Sequence, residues 1–227
     1  MSRSLVELCD YTMLDPKGDI ESFLEEANAH NFAAICVLPE HVLIAKEFYD
    51  GVIACAAGGF PNGDGPLYER IDEVKQAIED GADEIDIVID FNALMEGDRD
   101  KVATDLSQIR RASEGKILKV ILETPELDLY YIELGAKLAI EFGADFVKTC
   151  TGRRGGCTPL VARSLAELIS EWSHENSGKI RGLKLSGGIR ESGQAEGYLD
   201  IVRIALGEGF IHPEMFRFGT SSILENE

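Results

Sequence analysis

The chain has 227 residues, 44% hydrophobic and 28% charged, a composition that suits a globular protein with one large closed core. Its 22 Lys and Arg against 41 Asp and Glu leave a formal net charge of −19, which argues against nucleic-acid and anionic-membrane partners. No apolar run approaches the roughly 20 residues of a membrane span, and residues 1–7 lack the uninterrupted apolar segment of a secretory signal.

Short β-rich runs alternate with helical patterns from end to end. A first strand is expected over residues 8–14, then a helix over 20–30 with Ile20, Phe23, Leu24 and Ala27 at helical spacing. Strands over 33–38 and 52–58 follow, then a helix over 67–80 carrying Ile71, Val74, Ala77 and Ile78. The remainder reads as strand 84–90, helix 101–112, strand 118–123, helix 127–142, strand 145–149, helix 159–172, strand 181–186, helix 194–206 and strand 216–220. Residues 85–89 and 117–122 are almost wholly apolar, as strands of a parallel sheet covered on both faces are. The helices before strands 84–90 and 145–149 end in DGAD and FGAD, where Gly81 and Gly143 supply a left-handed cap. Eight strand–helix units, and no linker or low-complexity tract, predict an α/β (β/α)8 TIM barrel, one domain over residues 1–227. An open doubly wound sheet is the alternative on pattern alone. The acidic residues fall mainly on expected helix faces (Glu21, Glu25, Glu26, Glu69, Asp72, Glu73, Glu79), where they serve solubility.

Chemistry in such a barrel gathers at the C-terminal ends of the strands. In order these ends carry Asp10 and Thr12, Cys36, the 58–61 turn, Asp86 and Asp90, Glu123, Lys148, Lys184, and residues 219–222. A carboxylate inside the apolar 84–88 run needs a polar pocket or a bonded cation, so Asp86 is a candidate acid/base or a structural ion. Asp90, nearer the loop, reads as a helix cap or loop ligand. Lys148 stands where an apolar strand meets a small polar turn. It either snorkels into water or, deprotonated, attacks a carbonyl carbon. Lys184 follows 36 residues later, one barrel unit on, before a similar turn. The two should stand on adjacent strands about 4.8 Å apart, close enough for repulsion to ease the loss of a proton.

The turns 186–190 and 218–222 combine glycines with hydroxyls and suit an anion, since backbone N–H groups can approach it closely. On so acidic a chain a phosphate needs local positive charge, for which Arg153, Arg154, Arg190 and Arg217 are at hand. The four histidines are scattered without ligand spacing and no P-loop or G-x-G-x-x-G follows a strand, so neither metal nor cofactor is expected. Five cysteines, with no C-x-x-C pair, read as reduced thiols in a cytoplasmic protein.

Taken together, these residues resemble deoxyribose-phosphate aldolases. Eight motifs in order carry the likeness: residues 10–14 (DYTML), 35–39 (ICVLP), 59–63 (GFPNG), 81–86 (GADEID), 119–123 (KVILE), 146–152 (FVKTCTG), 182–190 (GLKLSGGIR) and 217–222 (RFGTSS). The resemblance implies a class I aldolase without metal or cofactor. It would reversibly cleave 2-deoxy-D-ribose 5-phosphate to D-glyceraldehyde 3-phosphate and acetaldehyde. It implies Lys148 as the Schiff-base lysine, Lys184 as the second lysine that perturbs it and takes part in proton transfer, and Asp86 as the aspartate that moves protons with a water. Asp10 and Thr12 match the end of the first strand, with Asp10 holding Lys184 or a substrate hydroxyl, and Cys36 matches a pocket cysteine. Gly152, Gly187, Gly188, Gly219, Ser221 and Ser222 fall where the family binds phosphate, and Thr151, Arg153 and Arg190 join them as expected substrate-binding residues. A homodimer is the family-based expectation.

Two departures stand out. Residues 153–159 read RRGGCTP, where the family has a longer, less basic loop, so the arginine pair should strengthen phosphate binding or admit another anion. The sequence also stops five residues after Ser222, without the tyrosine-ended tail of some members, which leaves proton transfer to water and Asp86. The alternatives are a Schiff-base aldolase for another phosphorylated aldol and a catalytically silent sugar-phosphate-binding barrel.

Overall fold

A computed structural model of the chain describes residues 4–177 and 180–224. The expectations about a leader and a tail fall in part on residues 1–3 and 225–227, which lie outside the described residues. Eight parallel strands close into a barrel in sequence order: β1 Cys9–Met13, β2 Ala34–Val37, β3 Ile53–Ala56, β4 Glu84–Val88, β5 Ile117–Ile121, β6 Phe146–Lys148, β7 Gly182–Ser186 and β8 Phe216–Thr220. All eight lie where the sequence places them; β8 matches its expected bounds, β5 starts one residue earlier and ends two earlier, and the other six are trimmed by a residue or more. The fold is the TIM barrel, with β8 returning to pair with β1 through Asp10↔Gly219.

The helices are α1 Ile20–Asn28, α2 Pro39–Phe48, α3 Leu67–Glu79, α4 Phe91–Met95, α5 Arg99–Ala112, α6 Leu129–Glu141, α7 Pro159–Glu175 and α8 Ser192–Leu206. Two of them, α2 and α4, have no counterpart in the sequence reading. In α2, Leu43 and Phe48 point to solvent while Val42 and Ala45 are buried, so no apolar stripe separates the two faces. At five residues α4 is too short to show a period; it is fixed by Asp90, whose side chain accepts from Ala93 N at 2.9 Å. Gly81 and Gly143 take φ of 115° and 93°, and each chain turns straight from helix into strand there.

The strands sort their side chains by parity. Ile85, Ile87, Leu118, Val120, Val147, Leu183, Leu185, Phe216 and Phe218 join the hydrophobic core that the helices cover. Full burial of each such side chain contributes roughly 1.5–3 kcal/mol. The inward set is unlike that of most barrels, which stack Val, Ile and Leu in layers. Here Cys36, Ala54 and Ala56 form a small apolar cluster of their own, and charged side chains fill much of the remaining interior.

Candidate active site

Register brings the candidate residues together. Lys148 pairs with Lys184 across β6 and β7, Lys184 with Arg217 on β8, and Asp86 with Lys119 across β4 and β5. Asp86 is wholly buried and both of its oxygens are occupied. Oδ2 accepts from Lys148 Nζ at 2.7 Å and from Lys184 Nζ at 2.8 Å, while Oδ1 accepts from Lys119 Nζ at 2.8 Å. Lys184 also reaches Asp10 Oδ2 at 2.5 Å, and Arg217 Nη1 reaches Asp10 Oδ1 at 2.6 Å. Glu84 closes the set, bonded to Lys119 and, at 3.1 Å, to Arg217 Nη2. Three carboxylates thus face four cations in a buried interior.

Burial alone would raise the Asp86 carboxyl, but Lys119, Lys148 and Lys184 outweigh it and hold the group well below the usual carboxylate range. Asp10 is likewise held low: Lys184, Lys119 and Arg217 overcome its desolvation. For Lys184, burial pushes the ammonium down while Asp10 and Asp86 pull it up further, so its value lies above the ordinary one. The expected ease of proton loss between two neighbouring lysines therefore does not fall on Lys184, because carboxylates sit between the cations. Lys119 is raised in the same way by Asp86, Glu84 and Asp10 against its desolvation. Burial raises the Cys36 thiol above its ordinary value; its Sγ lies 3.9 Å from Asp86 Oδ2.

Above this network a cavity of about 210 Å³ opens at the C-terminal ends of the strands. Lys148 is the one lysine among the residues that line it. Of the expected set, Thr12, Thr151, Gly152, Arg153, Gly187, Gly188, Arg190, Gly219 and Ser221 line the cavity with it, alongside Asp15, Cys150 and Ser186. Asp10, Asp86 and Lys184 lie beneath the floor, Cys36 sits in the small apolar cluster, and Ser222 is turned to Thr220, whose Oγ1 accepts its N–H at 3.0 Å. Gly187 and Gly188 both have positive φ, 86° and 75°. The backbone N–H groups of Gly187, Gly188 and Ser221 have no hydrogen-bond partner among the described residues, so this wall carries donors for an anion. Arg153 and Arg190 add guanidinium groups that form no ion pair among the described residues.

Lys119, Glu84 and Arg217 escaped the sequence reading as parts of one cluster. Arg217 stands away from the cavity, stacked 5.8 Å from the Phe146 ring and bonded to Asp10 and Glu84. Arg154 is also absent from this cavity. It faces a second opening of about 610 Å³ lined by Leu38, Phe60 and Pro61 among others, and Arg153 lines both. Among the described residues no group of three or more His, Cys, Asp or Glu side chains is placed to hold a metal ion. No helix there is long and apolar enough to cross a membrane.

Comparison with known proteins gives a consistent picture. A family profile described as DeoC/LacD family aldolase matches residues 10–212. Deoxyribose-phosphate aldolase 2 of Staphylococcus aureus is 41% identical over 155 residues, 66% of this chain and 70% of that protein. The deoxyribose-phosphate aldolase of Deinococcus radiodurans is 36% identical over 210 residues, 90% and 92% of the two chains. A solved structure described as a unique tetrameric deoxyribose phosphate aldolase from Aeropyrum pernix superposes with a TM-score of 0.76 at 28% identity, covering 96% of this chain and 86% of that one.

Proposed function

The chain belongs to the DeoC/LacD family of aldolases, and from that membership we propose how its site works. It is a class I aldolase that reversibly cleaves 2-deoxy-D-ribose 5-phosphate to D-glyceraldehyde 3-phosphate and acetaldehyde. The single observation that carries the site assignment is Lys148: it is the lysine exposed to the cavity, and its Nζ lies 2.7 Å from the Asp86 carboxylate.

As a free amine, Lys148 attacks the C1 aldehyde of the open-chain sugar, forming the N–C bond while the carbonyl oxygen takes a proton. Loss of water gives the iminium, which draws in the electron pair of the C2–C3 bond. As that bond breaks, the C3 hydroxyl gives up its proton and becomes the aldehyde of the departing triose phosphate. Protonation of the remaining enamine at C2 gives the acetaldehyde imine, which water hydrolyses to restore the amine. Asp86, acting through a water, is the carrier of these protons. Its basicity rises once Lys148 is uncharged, because Lys148 is one of the three cations that hold it low. Lys184 stays a cation beneath them and steadies the carboxylate. Thr12, Gly152, Gly187, Gly188, Gly219, Ser221, Arg153 and Arg190 hold the phosphate end, and Thr151, bonded to Glu123, carries the turn they stand on; Asp10 acts through Lys184, with Cys36 beside Asp86 and Ser222 behind the wall.

Sodium borohydride and acetaldehyde should leave a reduced two-carbon adduct on Lys148, located by peptide mass spectrometry, and Lys148→Leu should carry none. Folded protein that acquires no adduct, or an adduct elsewhere that survives Lys148→Leu, overturns the assignment. The alternative of another phosphorylated aldol drew on the arginine pair, and Arg154 stands outside the cavity. A steady-state assay releasing glyceraldehyde 3-phosphate from deoxyribose 5-phosphate separates the two. A homodimer is the assembly we propose, checked by sedimentation velocity. The five buried, unpaired cysteines fit a cytoplasmic setting.

A further inference from the structure

Beside the cavity lies a polar cluster that the reaction above does not use. Glu123, just past β5, is wholly buried, and at φ 59° and ψ 55° it holds a left-handed backbone that non-glycine residues seldom adopt. Its carboxylate points at the loop that follows Lys148. Oε2 accepts from Thr151 Oγ1 at 2.5 Å, and Oε1 accepts from Thr151 N at 3.4 Å. Thr151 Oγ1 in turn accepts from Arg153 N at 3.0 Å. The hydroxyl that the sequence offers to a phosphate is therefore already engaged on both sides.

Arg154 is the cation opposite Glu123, with Nη1 3.5 Å from Oε2. The same guanidinium donates to Pro61 O at 3.0 Å and to Asn62 Oδ1 at 2.5 Å, and it lies over the Phe91 ring at 5.3 Å. One planar group thus ties three strand-end loops: the one after β3, the one after β5 and the one after β6. Arg154 itself does not line the phosphate cavity.

We propose that Arg154 and Glu123 are positioning residues that set the height of the 151–153 wall, so that phosphate affinity depends on Arg154 although it does not touch the phosphate. The inference rests on the phosphate-binding role proposed for that wall. A guanidinium matches this task better than an ammonium, because its fork serves a carbonyl, an amide oxygen and a carboxylate at fixed angles. Arg153, carried on the held loop, then presents its charge to the cavity.

The experiment compares Arg154→Met, Arg154→Lys and Asn62→Ala by three readouts: KM for deoxyribose 5-phosphate, inhibition by inorganic phosphate, and the rate of borohydride trapping of acetaldehyde. Acetaldehyde carries no phosphate, so trapping reports the amine alone. Arg154→Met should raise KM and the inhibition constant of phosphate together by about tenfold, with trapping at the wild-type rate and Arg154→Lys in between. Asn62→Ala removes only the far anchor and should raise both constants severalfold, without adding its full effect to that of Arg154→Met. Unchanged or lowered constants in Asn62→Ala, as for a guanidinium released toward the phosphate, overturn the proposal. So does a trapping rate that falls in step with phosphate affinity. If wild-type protein traps no acetaldehyde, the aldolase reading of the site fails. The strap is then still decided by calorimetric titration of inorganic phosphate into the same variants.

Discussion

Asp86 keeps its charge in a buried position because three lysines meet its two oxygens, and the third of them, Lys119, has no contact with the cavity. Removing one partner of a buried ion cluster leaves charge without compensation, which costs about 3–5 kcal/mol. Lys119→Met should therefore lower the unfolding free energy by that much, read by circular dichroism at neutral pH as a lower urea midpoint at unchanged slope. The acid limb follows with a definite sign. Asp10 and Asp86 are held below their unfolded values near about 3.9, so their contribution is complete above that pH and is lost as pH falls through the folded values. Lys119 and Lys184 are held above their unfolded value near about 10.4, so their share is complete below it and is lost only as pH rises through the folded values. Stability from the cluster should be flat from about pH 5 to 9. In Lys119→Met the acid loss should begin at the same pH but be smaller and end at higher pH, because Asp86 is then less depressed. Asp86 was legible in the sequence as a carboxylate inside an apolar run. Lys119, in the middle of Ile117–Ile121, carries the same signal with the opposite charge, and reading both would have paired them.

At the scale of elements, strand-end residues were legible because period-2 alternation and barrel topology fix which side chains point inward and at which end. Loops were not, since what a loop residue binds depends on partners far away in sequence: Arg154 meets Asn62 across 92 positions. The 186–190 turn is a middle case: its glycines were read for the approach of an anion, and the structure shows that protein neighbours also require Gly187. A Cβ on Gly187 would fall 2.5 Å from Cys150 Sγ and 2.8 Å from Gly155 O, on a backbone with φ of 86°. For an L-residue that backbone alone costs roughly 1–2 kcal/mol. Gly187→Ala should raise KM for deoxyribose 5-phosphate about tenfold or more by displacing the wall, while acetaldehyde trapping on Lys148 changes much less. Equal losses in both would place the damage in the barrel floor instead of the wall.

The whole molecule carries a formal charge of −19, yet it receives a phosphate dianion. The structure reduces this tension by concentrating cations at the cavity, where Asp15 is the one carboxylate among the described lining residues. Glu21, Glu25, Glu26, Glu69, Asp72 and Glu79 are exposed on α1 and α3, whereas Arg153 and Arg190 line the cavity without ion pairs among the described residues. Glu73 departs from the pattern, being half-buried and accepting from Gly59 N at 2.8 Å. Exposed charges repel one another across the surface, and that repulsion weakens the compact state. It acts over distances comparable to the Debye length, about 30 Å at 0.01 M salt and 10 Å at 0.1 M, so modest salt removes most of it. The buried cluster of Asp10, Glu84, Asp86, Lys119, Lys184 and Arg217 is shielded from ions and should not respond. Thermal stability should therefore rise by several degrees between about 10 mM and 200 mM sodium chloride, and most of the gain should come at the low end. Differential scanning calorimetry tests this, and replacing Glu21, Glu25 and Glu69 with Gln should shrink the salt response without touching acetaldehyde trapping. A melting temperature that falls with salt would mean that surface ion pairs outweigh the net repulsion. The exposed Arg203 pairs with Asp200 and Glu208 are too few to produce that result against an excess of 19 negative charges.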